Sequence, residues 1–106
     1  MDMFMALAEP TRRSIVEMLA SGNRLSASDI YSRFPSSGPA ISQHLKVLRD
    51  TRVVIVEKDA QKRIYRINPH SIDQIELWIH NIRQHWEQRF DALDGLLADE
   101  MSRIKK

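Results

Sequence analysis

The stretch SSGPAISQHLKVLRD, Ser36 to Asp50, sets hydroxyl, amide, imidazole, ammonium and guanidinium groups (Ser42, Gln43, His44, Lys46, Arg49) opposite a helical stripe of Ile41, Leu45 and Leu48. The stripe is what an amphipathic helix needs in order to pack. The opposite face is more densely functional than solvation requires. Its groups donate and accept hydrogen bonds and attract anions. Charge is concentrated around them: Ser42 to Arg66 holds seven basic and three acidic residues, whereas Met1 to Ile41 is balanced at four and four and Ile67 to Lys106 has five and seven. A positive segment between neutral and acidic flanks suits a phosphate-binding face. On charge alone, a solvated surface fits equally well.

Bond-breaking chemistry has little support beside this. The chain has 106 residues and no cysteine, so disulfides, thiolate nucleophiles and Cys-built metal sites are excluded. There is no glycine-rich phosphate loop, no nucleophile elbow and no local His and carboxylate constellation. An enzyme is therefore not expected. No apolar run is long enough for a bilayer, and the start MDMFMALAEP lacks the basic region and apolar core of a secretory signal, so a cytoplasmic protein is expected. Length and a hydrophobic content of 42% suit one domain, residues 1–106.

The elements that position the polar face follow from periodicity. In EPTRRSIVEMLA, Pro10 suits a first helical turn, and Ile15, Met18 and Leu19 recur at helical spacing. Gly22 and Asn23 are suited to leaving that helix through left-handed backbone angles. SASDIYSRF predicts a short second helix, with Ser26 as its cap, Asp29 three residues later, and Ile30 and Phe34 on one face. PSSG interrupts, and Pro39 opens a third helix; the pair reads as a helix-turn-helix over about 26–51. VVIVEK and RIYRI then predict a two-stranded hairpin, a wing over about 53–67, with Lys58, Lys62 and Arg63 at or near its tip. An edge hairpin kept soluble by charge is the plainer alternative. The fold class is thus mainly α with a small β-hairpin.

The remainder, about 71–103, reads as one long helix. Ile72, Ile75, Ile79, Ile82, Trp86, Phe90, Leu93 and Leu97 recur every three or four residues, and Trp78 widens the stripe. Thirty residues span about 45 Å, more than so small a domain can cover. A second copy of the same helix in a two-fold dimer is the economical partner. Gly95 is a point where the helix could end or bend early.

Four segments, LAEPTRRSIVEML, PAISQHLKVLRD, KRIYRINP and WIHNIRQHWEQRFDAL, in this order and spacing resemble the ArsR/SmtB family of dimeric winged-helix repressors, and more closely its cysteine-free, SdpR-like subgroup. The resemblance covers nearly the whole chain. It implies a homodimer formed by the first and last helices, here through Phe4, Leu7, Ile75, Ile79, Ile82, Trp86, Phe90 and Leu93. It also implies that the third helix enters the DNA major groove while the wing follows a phosphate backbone. Ser42, Gln43 and His44 are then the candidates for base or phosphate contacts, with Gln43 able to pair an adenine edge in a bidentate way. Lys46, Arg49, Lys58, Lys62 and Arg63 would anchor phosphates. Ser37, Gly38 and Pro39 lie at the helix N-terminus, where free N–H groups favour phosphate. The duller readings are that Ser36 or Ser37 only caps the helix and that His44 is packed. The expected partner is double-stranded DNA carrying an inverted repeat.

Departures from the family pattern matter as well. Thr51-Arg52-Val53-Val54 stands where members usually have Ala-Gly and an apolar pair, so Arg52 is expected in a glycine-like conformation, at about 1 kcal/mol. Ala60 and Gln61 occupy the wing turn, which usually carries Gly. Ser26 and Ser28 replace the family's metal-binding cysteines, and Pro69, Ser71, Ile82 and His85 fall on its second metal site, so neither site is expected to bind metal and no cofactor is expected. Two alternatives stay open: a protein-interaction module, and a metal sensor using Glu76, His80 and His85.

Overall fold

The computed structural model describes residues 1–22 and 24–104; in the last helix it describes side chains up to residue 89 and again at 95, 96, 100 and 101. Two helices open the chain, α1 (Met3–Ala8) and α2 (Pro10–Gly22). The break between them is local. A residue before proline is pushed out of the helical region, and Glu9 is extended at φ −84°, ψ 129°. Asp2 caps α1 by accepting the Met5 N–H at 2.8 Å. Pro10 does open a helix, but the periodicity of α2 gave no sign of the six-residue helix before it, which carries Phe4 and Leu7. Gly22 is the last residue of α2 and does not take positive φ, contrary to expectation; Asn23 lies outside the described residues.

The chain passes into a short strand, β1 (Arg24–Ser26), and then α3 (Ala27–Ser32). Ser26 and Asp29 form a capping box: the Asp29 N–H donates to Ser26 Oγ at 3.1 Å, and the Ser26 N–H donates to Asp29 Oδ2 at 3.2 Å. Phe34 falls beyond the end of α3, not on its face, yet is half-buried against the core. Helix α4 (Gly38–Asp50) completes the helix-turn-helix, and β2 (Val54–Asp59) and β3 (Lys62–Ile67) form the hairpin. The sheet has three strands, not two, in the antiparallel order β1-β3-β2. Three residues are too few to display a period of two, so β1 was invisible to pattern. Its pairing of Leu25 with Tyr65 covers the edge of β3 that the hairpin leaves open.

Ile15 and Leu19 of α2, Ile30 of α3, Ile41, Leu45 and Leu48 of α4, and Val53, Val54 and Tyr65 form the core. Each large side chain contributes about 1.5–3 kcal/mol by leaving water. Helices α1 and α2 and strand β2 pack against α4, whose apolar stripe is buried while its other face points outward.

Helix α4 ends in a Schellman motif. The Val53 N–H donates to the Leu48 carbonyl at 3.0 Å, and the Arg52 N–H donates to the Arg49 carbonyl at 3.0 Å. Arg52 has φ 63°, the left-handed conformation expected of it. Leu48 and Val53 are both buried, which supplies the hydrophobic contact of the motif. The Arg52 carbonyl accepts from Asn68 Nδ2 at 3.0 Å, tying this turn to the end of β3. Ala60, in the wing turn, has φ 57°, the positive angle that a two-residue hairpin turn demands of a residue usually glycine.

The last helix, α5 (Pro69–Ile104), has 36 residues and is about 54 Å long. Gly95 does not end it, because one glycine costs only about 1 kcal/mol in a helix and Leu96, Leu97 and Ala98 beyond it favour the conformation. The chain divides into two compact units, Met1–Ile72 and Asp73–Lys106. In the second unit Ile79, Ile82 and Trp86 are exposed and Ile75 is half-buried; the side chains of Phe90 and Leu93 lie outside the described residues.

Candidate nucleic-acid interface

Helix α4 sorts its residues as its sequence dictates. Ile41, Leu45 and Leu48 are buried, while Ser42, Gln43, Lys46 and Arg49 are exposed. Ser37 is the N-cap, accepting the Ala40 N–H at 3.3 Å, and Pro39 stands in the first turn, where no backbone donor is lost. Ser37 therefore does the capping work named as its duller role.

The wing brings further cations. Lys58 pairs with Arg63 and Asp59 with Lys62 across the hairpin. Side chains alternate along a strand, so Arg63 shares a face with Tyr65 and Lys62 points to the other. Arg63 and Tyr65 line a small polar hollow together with Ser42, Gln43, Lys46 and Arg49 of α4. Lys62 lines a different one, with Arg24, Ser26, Ser28, Asp29 and Asp59. Adjacent in sequence, Lys62 and Arg63 are thus separated by the strand. Lys58 and Arg63 are like charges set directly opposite, an arrangement unfavourable until an anion lies against it.

Acidic groups on the other face of the sheet are neutralised. Glu57 receives Arg66 at 2.8 Å and Arg24 at 3.0 Å. The hydrogen bond from Arg66 leads the effects that hold its carboxyl below the usual range. Hydrogen bonds from Ser26 do the same for Asp29, aided by the charges of Arg33 and Lys62.

His44 is not simply presented outward. It is half-buried, and its Nδ1 lies 3.1 Å from Arg12 Nη1 and 3.7 Å from Glu9 Oε2. For Glu9, burial acts to raise the carboxyl pKa, but the backbone N–H groups of Arg12 and Thr11, the pull of His44 in its protonated form and the charge of Arg12 outweigh it, and the net direction is down. Nothing in the periodicity of α4 marked this contact, because Arg12 is 32 residues away. In α1, Phe4 is exposed while Leu7 packs partly on the core of its own chain.

Three residues at the family's metal positions, Ser26, Ser71 and His85, have other partners. Ser26 caps α3, and Ser71 is buried, its hydroxyl donating to the Asn68 carbonyl at 2.7 Å. His85 Nδ1 lies 2.8 Å from the Asn81 carbonyl, one helical turn back. Among the described residues no three His, Cys, Asp or Glu side chains come together to hold a metal.

A family model for a helix-turn-helix domain matches residues 7–57. Over 95 residues the chain is 44% identical to the HTH-type transcriptional regulator Rv2034 of Mycobacterium tuberculosis, covering 90% of this chain and 85% of that protein. It is 32% identical to the transcriptional repressor SdpR of Bacillus subtilis, over 76% of this chain and 88% of the repressor. The chain belongs to the ArsR/SmtB family of transcriptional regulators. Among solved structures, an ArsR-like transcriptional regulator from Rhodococcus sp. RHA1 superposes with a TM-score of 0.75 at 28% identity, over 88% of this chain and 87% of that one. The winged helix-turn-helix of this chain is therefore the family's architecture.

Proposed function

We propose that the protein is a cytoplasmic, non-catalytic homodimer that represses transcription by binding an inverted repeat through α4 and the wing. Gln43 and Ser42 read base edges, and His44 adds one donor. Lys46, Arg49 and Arg63 hold phosphates beside the groove, with Lys58 and Lys62 further along the wing and the α4 N-terminus at Ser37 and Pro39 against the backbone. The observation that carries this reading is the meeting of Gln43, Lys46 and Arg49 with Arg63 around one polar hollow. Base-reading and phosphate-binding groups from two elements face the same space there. Dimerisation uses Ile75, Ile79, Ile82, Trp86, Phe90 and Leu93 of α5, and Phe4 and Leu7 of α1. It would set two recognition helices on one face of DNA, with half-sites about 10 base pairs apart or a small multiple of that.

The test is binding of the purified protein to DNA from upstream of its own gene and to scrambled DNA of equal length, across salt concentrations. Preferential binding with a steep salt slope supports the proposal. Equal and weak binding to both, with a shallow slope, would instead support a protein-interaction module.

A further inference from the structure

Arg12 lies on α2, outside the proposed DNA-facing surface, yet it holds a residue of that surface. Its Nε–H donates to the Ala6 carbonyl in α1 at 2.8 Å, and its Nη1 lies 3.1 Å from His44 Nδ1. A guanidinium stays protonated and offers only donors, so His44 Nδ1 must accept. An uncharged imidazole whose Nδ1 accepts carries its proton on Nε2. The other charged group facing this nitrogen is Glu9, whose Oε2 is 3.7 Å away and already accepts the Arg12 N–H at 2.8 Å. Arg12 therefore has the closer claim. Among the described residues no hydrogen bond engages Nε2.

We propose that Arg12 is a specificity-determining positioning residue: by donating to His44 Nδ1 it fixes the Nε2–H tautomer, so α4 presents a donor at that point and never an acceptor. This rests on the DNA-reading role given above to α4. A donor there matches guanine N7 or O6, adenine N7, thymine O4 or a phosphate oxygen, and rejects the amino group of cytosine. Because the same guanidinium holds the Ala6 carbonyl, it also ties α1 to α4.

The test uses long-range proton–nitrogen correlation spectra of the His44 ring in the full-length protein without DNA, at roughly pH 8, where free imidazole is neutral. In the wild type, Nδ1 is expected unprotonated and Nε2 protonated. Arg12→Met, which keeps the length of the side chain and removes the donor, should shift both nitrogens toward a mixture of tautomers. Arg12→Lys, whose ammonium also donates, should restore the wild-type pattern. A wild-type ring protonated at Nδ1, or an Arg12→Met spectrum unchanged from wild type, overturns the proposal. The wild-type spectrum decides this even where Arg12→Met fails to fold.

With DNA, Arg12→Met should bind the preferred sequence about tenfold more weakly and scrambled DNA within about twofold of wild type, with partial rescue by Arg12→Lys. Equal losses on both DNAs mark Arg12 as only structural and overturn its role in specificity. If the wild type itself shows no preference between the DNAs, the DNA-reading role of α4 fails, whereas the ring-nitrogen spectra still judge the tautomer separately.

Discussion

In the proposed interface, single side chains divide between discrimination and attraction. Gln43 is exposed on α4 with no core role, so Gln43→Ala should leave the fold intact and reduce preference for the operator over single-base variants by about 1–3 kcal/mol at one position, measured by competition binding. Full preference in that variant would remove Gln43 from the reading set. Arg63 and Lys62 are adjacent in sequence but on opposite strand faces, and only Arg63 shares the hollow of α4. Arg63→Ala should therefore weaken binding to all sequences and flatten the salt slope by about one unit, more than Lys62→Ala does. The exposed groups of α4 were legible in the sequence because helical spacing alone fixes which side of a packed helix faces out. The engagement of His44 was not, since it depends on an arginine brought in by the tertiary fold.

Elements were legible in proportion to their length. The long periodic stretches declared themselves, whereas α1 and β1 are too short for any period to show, and both owe their existence to local covalent restraint or to an open sheet edge. Two turns carry strain that substitution can relieve. Arg52 sits at φ 63° in a Schellman turn, and Arg52→Gly should raise stability by up to about 1 kcal/mol in urea unfolding, less if glycine's extra freedom in the unfolded chain offsets it. The usual family residues around this position pointed to the strain before the structure did. The capping box of α3 gives a pH-dependent term. The folded Asp29 carboxyl lies below its unfolded pKa, so its stabilisation is present above that value and is lost as pH falls below about 4 toward the lower folded pKa. Ser26→Ala should remove that acid-sensitive increment and cost about 1 kcal/mol at neutral pH; an unchanged pH profile of thermal unfolding would contradict the assignment.

At the scale of the whole molecule, the proposed dimer along α5 would account for a 36-residue helix with exposed Ile79 and Ile82. Ile79→Glu with Ile82→Glu should yield monomers in sedimentation and weaken operator binding by far more than tenfold, because a monomer engages one half-site. A dimer that survived both changes would place the contact elsewhere. The length and stripe of α5 were readable from sequence, but the sequence does not record which surface covers the stripe, since partner contacts leave no period of their own. The central claim, that α4 and the wing together read DNA, is tested most directly by fluorescence anisotropy against upstream and scrambled DNA over a salt series, with chelator and then with zinc. Preferential, steeply salt-dependent binding unchanged by zinc is the predicted result. Equal, weak and salt-insensitive binding to both DNAs would contradict it.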